Sequence, residues 1–554
     1  MNRLQNVLGN SLANSGGRLL GARPALRGNF PSRSSQADLG GVSSSVRFFS
    51  NTSREAFLPA STSSSARNGG TTGIKFLALA TVSGLLLVDK HLLRSDENAE
   101  CKVGEPPSYA ESDFEGASEA GFKLTAATVS PEHILKLHLG GVNGLVPKKY
   151  ADSAIKGLSP ACLQTYRGPK PNPALLHETN QYYKGITGID LKRGFYPIPG
   201  LKQLPKFAAD ILSLRLSERN ISTEELVVVA GNPSYISAAW AYKDLSIETY
   251  DQLEVNQVPV IKEAIERQLS KGKKVVFHYQ SANPAGRQLS KVESDDLRSY
   301  LKALSDKGQL VMIVEDDAYV TMSFDSPTSS LVLAENFMDR LDPEKTVCFS
   351  GWSTSKGPNL GGVGLGQVAF NCDLGLYYNW ININFSGLSL VDQYLTLAIL
   401  AKLNANSGEH KAAIQGVMDR ALSYAKVISA SEIAIKVPNF PQKGPFILCD
   451  FSELISNFEK NHGFPLNPYE YLKDQGILTL PGSALNFEKG LANVDSLRDM
   501  SSYLRVTFCA YPDEKEALAA LNRFLSCFSE EPLSHYAQAK KQGRDPFPEL
   551  RKRA

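Results

Sequence analysis

Residues 275–319 read VVFHYQSANPAGRQLSKVESDDLRSYLKALSDKGQLVMIVEDDAY, and their succession of patterns is that of an α/β fold. A buried strand is predicted over 275–279, followed by a turn signal at 283–286. A helical stretch at 295–304 then leads to a second strand at 310–314, which ends in three acids. Strands that alternate with helices in this way predict a mostly parallel sheet covered by helices.

The same alternation continues on both sides of this stretch. Together the patterns predict an α/β protein with a large domain at about 195–395 and a smaller α/β terminal domain built from the flanking segments, all within 121–530. The further elements predicted are helices at 203–217, 258–269, 391–404 and 410–430, and strands at 226–230, 346–349, 477–482 and 505–508.

The N-terminal region has a different composition from the rest of the chain. Residues 1–50 contain six arginines, no lysine and a single acid, Asp38, among many serines and glycines. This composition is typical of a mitochondrial transit peptide, which we predict over 1–60. The sequence at 47–50, Arg-Phe-Phe-Ser, resembles a matrix-processing site. We therefore expect a mitochondrial protein, in the matrix or associated with the inner membrane.

Three further segments lie outside the predicted folded part. The hydrophobic segment 74–90 contains an uncharged run at 76–88. This run is shorter than the roughly 17–25 residues of a spanning helix, so a membrane anchor and a sorting segment both remain open. The acidic stretch 91–120 is predicted to be a linker. Residues 531–554, which end in Arg-Lys-Arg-Ala, are predicted to be a solvated polar tail.

Composition excludes some functions. The chain has 554 residues, 42% of them apolar, and a net charge of +2, with no dense basic block in the folded part. This argues against nucleic acid as the main partner. The seven cysteines show no Cys-x-x-Cys or zinc-like spacing. We therefore predict no metal site and interpret the cysteines as core residues.

Four short motifs follow one another along the folded part: NPAG at 283–286, DDAY at 316–319, STSK at 353–356 and LRVTF at 504–508. Each alone is a weak signal, since NPAG is a turn and a lysine after a strand is usually on the surface. In this order they resemble the anchors of the pyridoxal-phosphate-dependent aminotransferases of class I/II (fold type I, aspartate aminotransferase superfamily). The similarity covers roughly 180–530.

The resemblance implies a coenzyme, pyridoxal 5'-phosphate, and assigns roles to the motif residues. Lys356 would form a Schiff base with the coenzyme and move a proton at the substrate Cα. Asp316 would face the pyridine nitrogen and keep it protonated. Tyr319 and Asn283 would donate hydrogen bonds to the phenolic oxygen of the coenzyme.

The remaining assignments concern the phosphate and the substrate. Ser353 would bind the coenzyme phosphate, and Gly231 and Ser234 are the expected contacts from the turn that precedes the first large-domain helix. Arg505 would bind the α-carboxylate of the substrate, because a guanidinium matches a carboxylate in two parallel hydrogen bonds.

The chain departs from the family pattern in three places. No arginine for the phosphate follows Lys356 within 356–364, and Pro233 has no N–H to donate in the turn 231–234. Only 52 positions separate Gly231 from Asn283. The family has an extra strand there, so the sequence predicts a trimmed fold or a missing piece. A partner-subunit tyrosine that binds the phosphate is matched by Phe195, so its hydroxyl is lost or is supplied by Tyr196.

Three functions remain open from the sequence. The first is a homodimeric mitochondrial aminotransferase that acts on an amino acid and a 2-oxo acid. The second is a catalytically degenerate relative that serves as a structural or assembly subunit at the inner membrane. The third keeps the coenzyme but catalyses a lyase or α-oxoamine synthase reaction. The five retained motif side chains favour an enzyme, whereas the lost arginine favours the second function. The substrate side chain is not identified.

Overall fold

The structure is a computed structural model that describes residues 129, 133–138, 145–160, 162, 168–234, 241–242, 244–324, 330–486 and 499–551. The predicted transit peptide (1–60), hydrophobic segment (74–90) and linker (91–120) lie outside the described residues. Within those ranges, no helix combines the length and the apolar character needed to cross a membrane.

Strands and helices alternate along the described chain. In chain order the strands are β1 (Leu135–Lys136), β2 (Tyr196–Pro199), β3 (Leu226–Asn232), β4 (Ser246–Asp251), β5 (Lys274–Gln280), β6 (Leu310–Asp316), β7 (Val347–Ser353), β8 (Leu365–Phe370), β9 (Ile447–Asp450), β10 (Ile477–Leu478), β11 (Leu480–Pro481) and β12 (Tyr503–Val506). The α-helices are α1 (Lys148–Lys156), α2 (Pro173–Thr187), α3 (Leu204–Arg219), α4 (Gln257–Leu269), α5 (Lys291–Asp306), α6 (Leu374–Phe385), α7 (Leu390–Ala405), α8 (Ser407–Ala430), α9 (Ser452–His462), α10 (Pro468–Asp474), α11 (Glu514–Ser526) and α12 (Glu530–Lys541).

The large part is built on a seven-stranded sheet of order β2-β8-β7-β6-β5-β3-β4. Strands β4, β3, β5, β6 and β7 are parallel, whereas β8 runs antiparallel to both β7 and β2. Strands β3, β6 and β7 are buried along their whole length. Such strands need helices on both faces, and alternate residues of β3 do contribute to two separate apolar clusters. The predicted α/β class is confirmed.

Local signals explain where several helices begin and end. Ser290 and Glu293 form a capping box at the start of α5, and each side chain accepts a hydrogen bond from the other's backbone. Helix α2 starts at Pro173 behind the Asn172 cap, and it ends at Gly188, which takes a left-handed φ of 75°. Only glycine adopts this conformation at little cost, so the helix stops there.

The smaller part surrounds a three-stranded antiparallel sheet of order β11-β12-β9, with β1 paired to β10 beside it. Helices α8 to α12 cover it around a second core of aromatic residues. The terminal strands predicted at 477–482 and 505–508 correspond to β10, β11 and β12. Five of the six described cysteines are buried, in agreement with their interpretation as core residues.

Two expectations from the sequence are wrong. Residues from 531 do not form a solvated polar tail, because 530–541 form α12 and its residues Leu533 and Tyr536 are buried. The three-residue spacing places both on one helical face, where Tyr536 meets Tyr471 at 4.8 Å between ring centroids. The strand thought to be missing between Gly231 and Asn283 is also present, since β4 lies in that interval and pairs with β3.

A buried ion pair joins the two parts. Lys443 Nζ lies 2.6 Å from Asp317 Oδ2, and the two side chains are 0% and 1% exposed. Ser281 donates a second hydrogen bond to Asp317 at 2.7 Å. Lys443 precedes β9 of the smaller part, whereas Asp317 follows β6 of the large sheet. A buried charge that loses its partner is strongly unfavourable, so this pair holds the two segments together.

We expect Lys443→Met to lower the free energy of unfolding by roughly 3–5 kcal/mol, because Asp317 is then buried without a cation. The double substitution Lys443→Met with Asp317→Leu should recover most of that loss, since no unpaired charge remains. Urea denaturation measures both effects. Lys184→Met serves as the control, because its partner Asp190 is 74% exposed and the change should cost less than about 1 kcal/mol. Equal losses at Lys443 and Lys184 would contradict this account.

Candidate active site

Five of the residues selected from the sequence lie at one edge of the large sheet. Gly231 and Ser234 are at the end of β3, Asn283 follows β5, Asp316 ends β6 and Ser353 ends β7. Because these four strands are parallel, their carboxyl ends meet at the same edge, which is where α/β sheets bind ligands. All five residues are buried.

Asp316 is a buried carboxyl with an incomplete set of partners. Gln280 Nε2 donates to its Oδ2 at 3.2 Å, while Oδ1 has no hydrogen-bond partner among the described residues. Burial raises the pKa of Asp316 to about 7, and the charge of Asp317 adds to this effect, while Gln280, the backbone of Ala318 and the charge of Lys356 oppose it. A bound group that carries a positive charge or an N–H would supply what Asp316 lacks.

Lys356 and Tyr319 lie beside this carboxyl. The Lys356 ammonium is 5.2 Å from the centroid of the Tyr319 ring, and its charge acts on Asp316. Tyr319 is buried, whereas Lys356 is partly exposed, so an incoming molecule could reach the amine. The Lys356 amine therefore lies near two side chains of the motif 316–319.

The hydroxyl of Ser353 takes part in the turn that carries Lys356. Its Oγ lies 2.6 Å from the Oγ of Ser355, and it accepts a hydrogen bond from the Ser355 N–H at 3.2 Å. The Lys356 N–H donates to the Ser353 carbonyl at 3.3 Å. The turn thus presents two adjacent hydroxyls beside the lysine.

Arg505 reaches the same edge from the smaller part. It is a residue of β12, and its Nη1 donates to Asn283 Oδ1 at 2.7 Å. Its Nη2 donates to the carbonyl of His138 at 3.1 Å. Asn283 and Arg505 are 222 positions apart in the chain, so the fold alone brings them together. The role of His138 was missed from the sequence, since a backbone carbonyl carries no residue-type signal.

Phe446 connects the arginine with the tyrosine and was also missed. Its ring lies 4.2 Å from the Arg505 guanidinium carbon and packs edge-on against Tyr319 at 4.7 Å between centroids. A cation over an aromatic face is attracted by the ring, which helps to hold the guanidinium in place. From the sequence, a phenylalanine beside a strand is indistinguishable from an ordinary core residue.

The carboxylates on either side of Asp316 have their own partners. Glu315 is fully buried and accepts hydrogen bonds from the hydroxyls of Ser330 and Ser350 at 2.6 and 2.7 Å. Asp317 is held by Lys443 and Ser281, as described above. Both carboxylates belong to local hydrogen-bond networks. Of the three carboxylates, Asp316 is the one with an oxygen, Oδ1, that has no hydrogen-bond partner among the described residues.

Gly231 is still paired within β3, opposite Tyr250 of β4, and residues 235–240 after the turn 231–234 lie outside the described residues. A Cβ at Gly231 would lie 2.8 Å from Gln252 Oε1 and 3.0 Å from Tyr250 Oη, so a close approach of these side chains requires glycine. The Ser234 N–H donates to the Leu485 carbonyl.

The turn that leads into α3 was missed as part of the site. Strand β2 ends at Pro199, Gly200 takes a φ of 76°, and α3 begins at Leu204 after one short 3₁₀ turn. Gly366 of β8 pairs with both Ile198 of β2 and Ser353 of β7, so this turn and the lysine turn lie at the same sheet edge with β8 between them. The signal was present in the sequence as Pro-Gly directly before a helical pattern.

Phe195 and Tyr196 differ in what they could offer a partner subunit. Phe195 is fully buried, edge-on against Tyr183 and Trp352 at 4.7 and 5.8 Å. It therefore cannot reach a second chain. Tyr196 is partly exposed and packs near Phe370, so of these two residues only Tyr196 is available to contact a partner subunit.

No protein-family model matches the chain, and no curated protein matches it either. Solved structures do resemble it. Kynurenine aminotransferase from Pyrococcus horikoshii, in complex with PMP, KYN and KYA, has a TM-score of 0.54 and 18% identity over 76% of this chain and 97% of its own. An aminotransferase from Neisseria meningitidis has a TM-score of 0.54 and 18% identity over 75% and 98%. A PLP-bound C-S lyase from Staphylococcus hominis has a TM-score of 0.54 and 12% identity over 73% and 95%.

These similarities confirm the predicted fold, which is that of the fold type I aminotransferases. The described chain spans nearly the whole length of the matched structures, in agreement with the presence of β4 and with no trimming of the sheet. Identity at this level concerns the fold, so activity has to be argued from the site.

The raised pKa of Asp316 predicts a pH-dependent stability. Its pKa of about 7 lies above the unfolded value of about 3.9, so the folded state binds this proton more tightly. The ionised carboxylate therefore destabilises the protein, fully above pH 7 and less as the pH falls, and the penalty is lost only near the unfolded pKa of about 3.9. We expect Asp316→Asn to be more stable than the natural protein at pH 8, with the gap closing by roughly 1 kcal/mol per pH unit below pH 7.

Urea denaturation of both proteins at pH 5, 6, 7 and 8 measures this gap. Asp306→Asn is the control, because Asp306 is exposed and paired with Lys302 on the surface of α5. A stability gap at Asp316 that stays constant with pH would show that its carboxyl titrates normally.

Proposed function

We propose that this protein is an aminotransferase that transfers an amino group between an amino acid and a 2-oxo acid with the help of pyridoxal 5'-phosphate. The observation that carries the proposal is the assembly of Asp316, Tyr319, Lys356 and the Asn283–Arg505 pair at one sheet edge. Each group suits a different part of one reaction, and the fold neighbours support the same class.

The residues present fit the coenzyme. A protonated ring nitrogen would provide the donor and the positive charge that the buried Oδ1 of Asp316 lacks. Because Asn283 Oδ1 accepts from Arg505, its amide Nδ2 is the group that can donate to the phenolic oxygen. Tyr319 would donate to the same atom. Bound in this way, the coenzyme would supply an aldehyde for the amine and a ring that accepts an electron pair from the substrate Cα.

The phosphate has candidates on two sides. The hydroxyls of Ser353 and Ser355 are adjacent, and the Gly200 turn that leads into α3 lies at the same sheet edge, one strand away. Backbone N–H groups and the positive end of a helix favour a phosphate there. This arrangement would partly replace the arginine that the segment 356–364 lacks. Gly231 and Ser234 remain as further contacts, of which the Ser234 hydroxyl is the stronger candidate.

Arg505 is proposed to bind the substrate α-carboxylate. Nη1 of its guanidinium donates a hydrogen bond to Asn283, and Nη2 donates one to the carbonyl of His138. The two fixed bonds and the Phe446 ring orient the fork before the substrate arrives. Preorganised donors of this kind bind without a further ordering cost.

Lys356 is the proposed catalytic base. With the coenzyme and a substrate bound, the Lys356 amine would take the proton from the substrate Cα and return it to the reacting centre. Its position above the Tyr319 ring, next to Asp316, keeps it near the reacting centre. Transamination and a lyase reaction share this step, and the substrate decides between them.

The assembly and location are also proposals. We propose a homodimer with Tyr196 available to the partner's site, and a mitochondrial location at the matrix or inner membrane. The second proposal rests on the arginine-rich, acid-poor residues 1–60 and on the uncharged run at 76–88.

Lys356→Ala should abolish covalent capture of pyridoxal 5'-phosphate by the full-length protein. In the natural protein, we expect a visible absorbance band that borohydride traps on the peptide containing Lys356, as read by mass spectrometry. Lys302→Ala is the control, because Lys302 lies on the exposed face of α5. A trapped adduct on another lysine would remove Lys356 from this role. No bound coenzyme in the natural protein would favour the structural-subunit function instead.

Fusion of residues 1–60 to a fluorescent reporter should send the reporter to mitochondria, because these residues have the composition of a transit peptide. A matched fusion with the six arginines of residues 1–50 changed to glutamine should stay in the cytosol. Fluorescence microscopy with a mitochondrial marker distinguishes the two locations. A cytosolic reporter for the unchanged sequence would rule out targeting by this segment.

A further inference from the structure

A buried polar junction lies directly behind the lysine turn. Gly357, the residue after Lys356, has no room for a side chain, because a Cβ there would lie 2.9 Å from Tyr182 Oη and still closer to Thr321 Oγ1. Tyr182 and Thr321 are 2% and 1% exposed. The backbone of the turn is thus pressed against two buried hydroxyls.

The tyrosine of this junction is held by a distant histidine. Tyr182 Oη lies 2.9 Å from His410 Nε2, and both side chains are buried. Tyr182 belongs to α2 and His410 to α8, 228 positions further along the chain. Helix α8 is the long helix between the large sheet and β9. The junction therefore joins three distant segments around the lysine turn.

His410 is neutral at the pH of the cell. Burial lowers the pKa of His410 to about 4, although interactions with the backbone of Leu145 and Gly357 raise it in part. A neutral imidazole has one nitrogen that donates and one that accepts. One ring can therefore hold the Tyr182 hydroxyl and also interact with the backbone of Gly357, without placing a positive charge next to Lys356.

Tyr182 contacts the lysine turn at both of its ends. Its ring stacks on Trp352, the residue before Ser353, with 5.8 Å between centroids and an interplanar angle of 19°. Its hydroxyl meets Gly357, the residue after Lys356. One side chain thus spans the turn 353–356 from behind, and His410 fixes its orientation.

We propose that Tyr182, oriented by His410, is a positioning residue that holds the Lys356 amine toward the site. This inference rests on the proposed function, because it concerns the same lysine. Tyr182 does not touch the reacting atoms and is therefore not a catalytic residue. The network uses only neutral groups, so it can fix the backbone of the turn without changing the charge around the amine.

Tyr182→Phe tests this proposal in the full-length protein, because it keeps the ring on Trp352 and removes only the hydroxyl. Tyr183→Phe is the matched control. Tyr183 is the next residue of α2 and also contacts Trp352, at 6.0 Å between centroids, but its hydroxyl has no hydrogen-bond partner among the described residues. His410→Gln is the second variant, which removes the histidine and leaves Tyr182 intact.

Two readouts are measured. The first is the rate at which added pyridoxal 5'-phosphate is captured on Lys356, followed by absorbance. We expect Tyr182→Phe and His410→Gln to slow it by roughly three- to tenfold, the effect of one neutral hydrogen bond, with Tyr183→Phe unchanged. The second is reductive methylation of Lys356 by formaldehyde without coenzyme, relative to Lys302. A loosened turn exposes the amine, so methylation of Lys356 should become faster in the same two variants.

The two readouts separate this proposal from the proposed function. If the natural protein captures no coenzyme, the proposed function fails, and methylation still decides whether Tyr182 positions the lysine. Equal values for Tyr182→Phe and Tyr183→Phe in both readouts would overturn the inference. A fall in thermal stability shared by both variants, with unchanged capture and methylation, would mean that Tyr182 only packs the core.

Discussion

The parallel pairing of β5, β6 and β7 is the constraint on which the candidate site depends. Gln280 is in register with Asp316, and Asp316 with Gly351, so the three strands end together. Because side chains alternate between the faces of a strand, a slip of one residue would turn Asp316 away from the site. The same register places Ser353 at the end of β7 and lets the next turn carry Lys356 to the Asp316 carboxyl. The positions of Asn283, Ser353 and Lys356 follow from these strand ends.

At the end of β6, two buried carboxylates serve the structure, and the third, Asp316, is proposed to serve the chemistry. Three consecutive carboxylates are buried there, at a cost that each partner must offset. Glu315 is satisfied by neutral donors and Asp317 by Lys443, whereas one oxygen of Asp316 has no partner among the described residues. The burial that raises the pKa of Asp316 is the same burial that would make it a strong partner for a cationic ring. A buried carboxyl with a strongly raised pKa is a mark of a functional site.

The smaller part contributes to the site through the segment 443–446, which directly precedes β9. Lys443 anchors this segment to Asp317, and Phe446 lies between Tyr319 and Arg505. A movement of the smaller part would therefore reach the arginine and the tyrosine together. The Tyr182–His410 junction has a similar position on the other side of Lys356, so the lysine turn and the arginine are both supported by contacts from outside the large sheet.

The sequence was sufficient for the order of helices and strands, and for the residue types that meet at the sheet edge, because apolar periodicity and short motifs are local. It determined that Asp316 ends a strand and that Lys356 follows one. Only the tertiary structure decided that Arg505 meets Asn283 and that Phe446 and His410 support the site. These contacts join segments that are far apart in the chain, and the closeness of such segments depends on packing that no local pattern records.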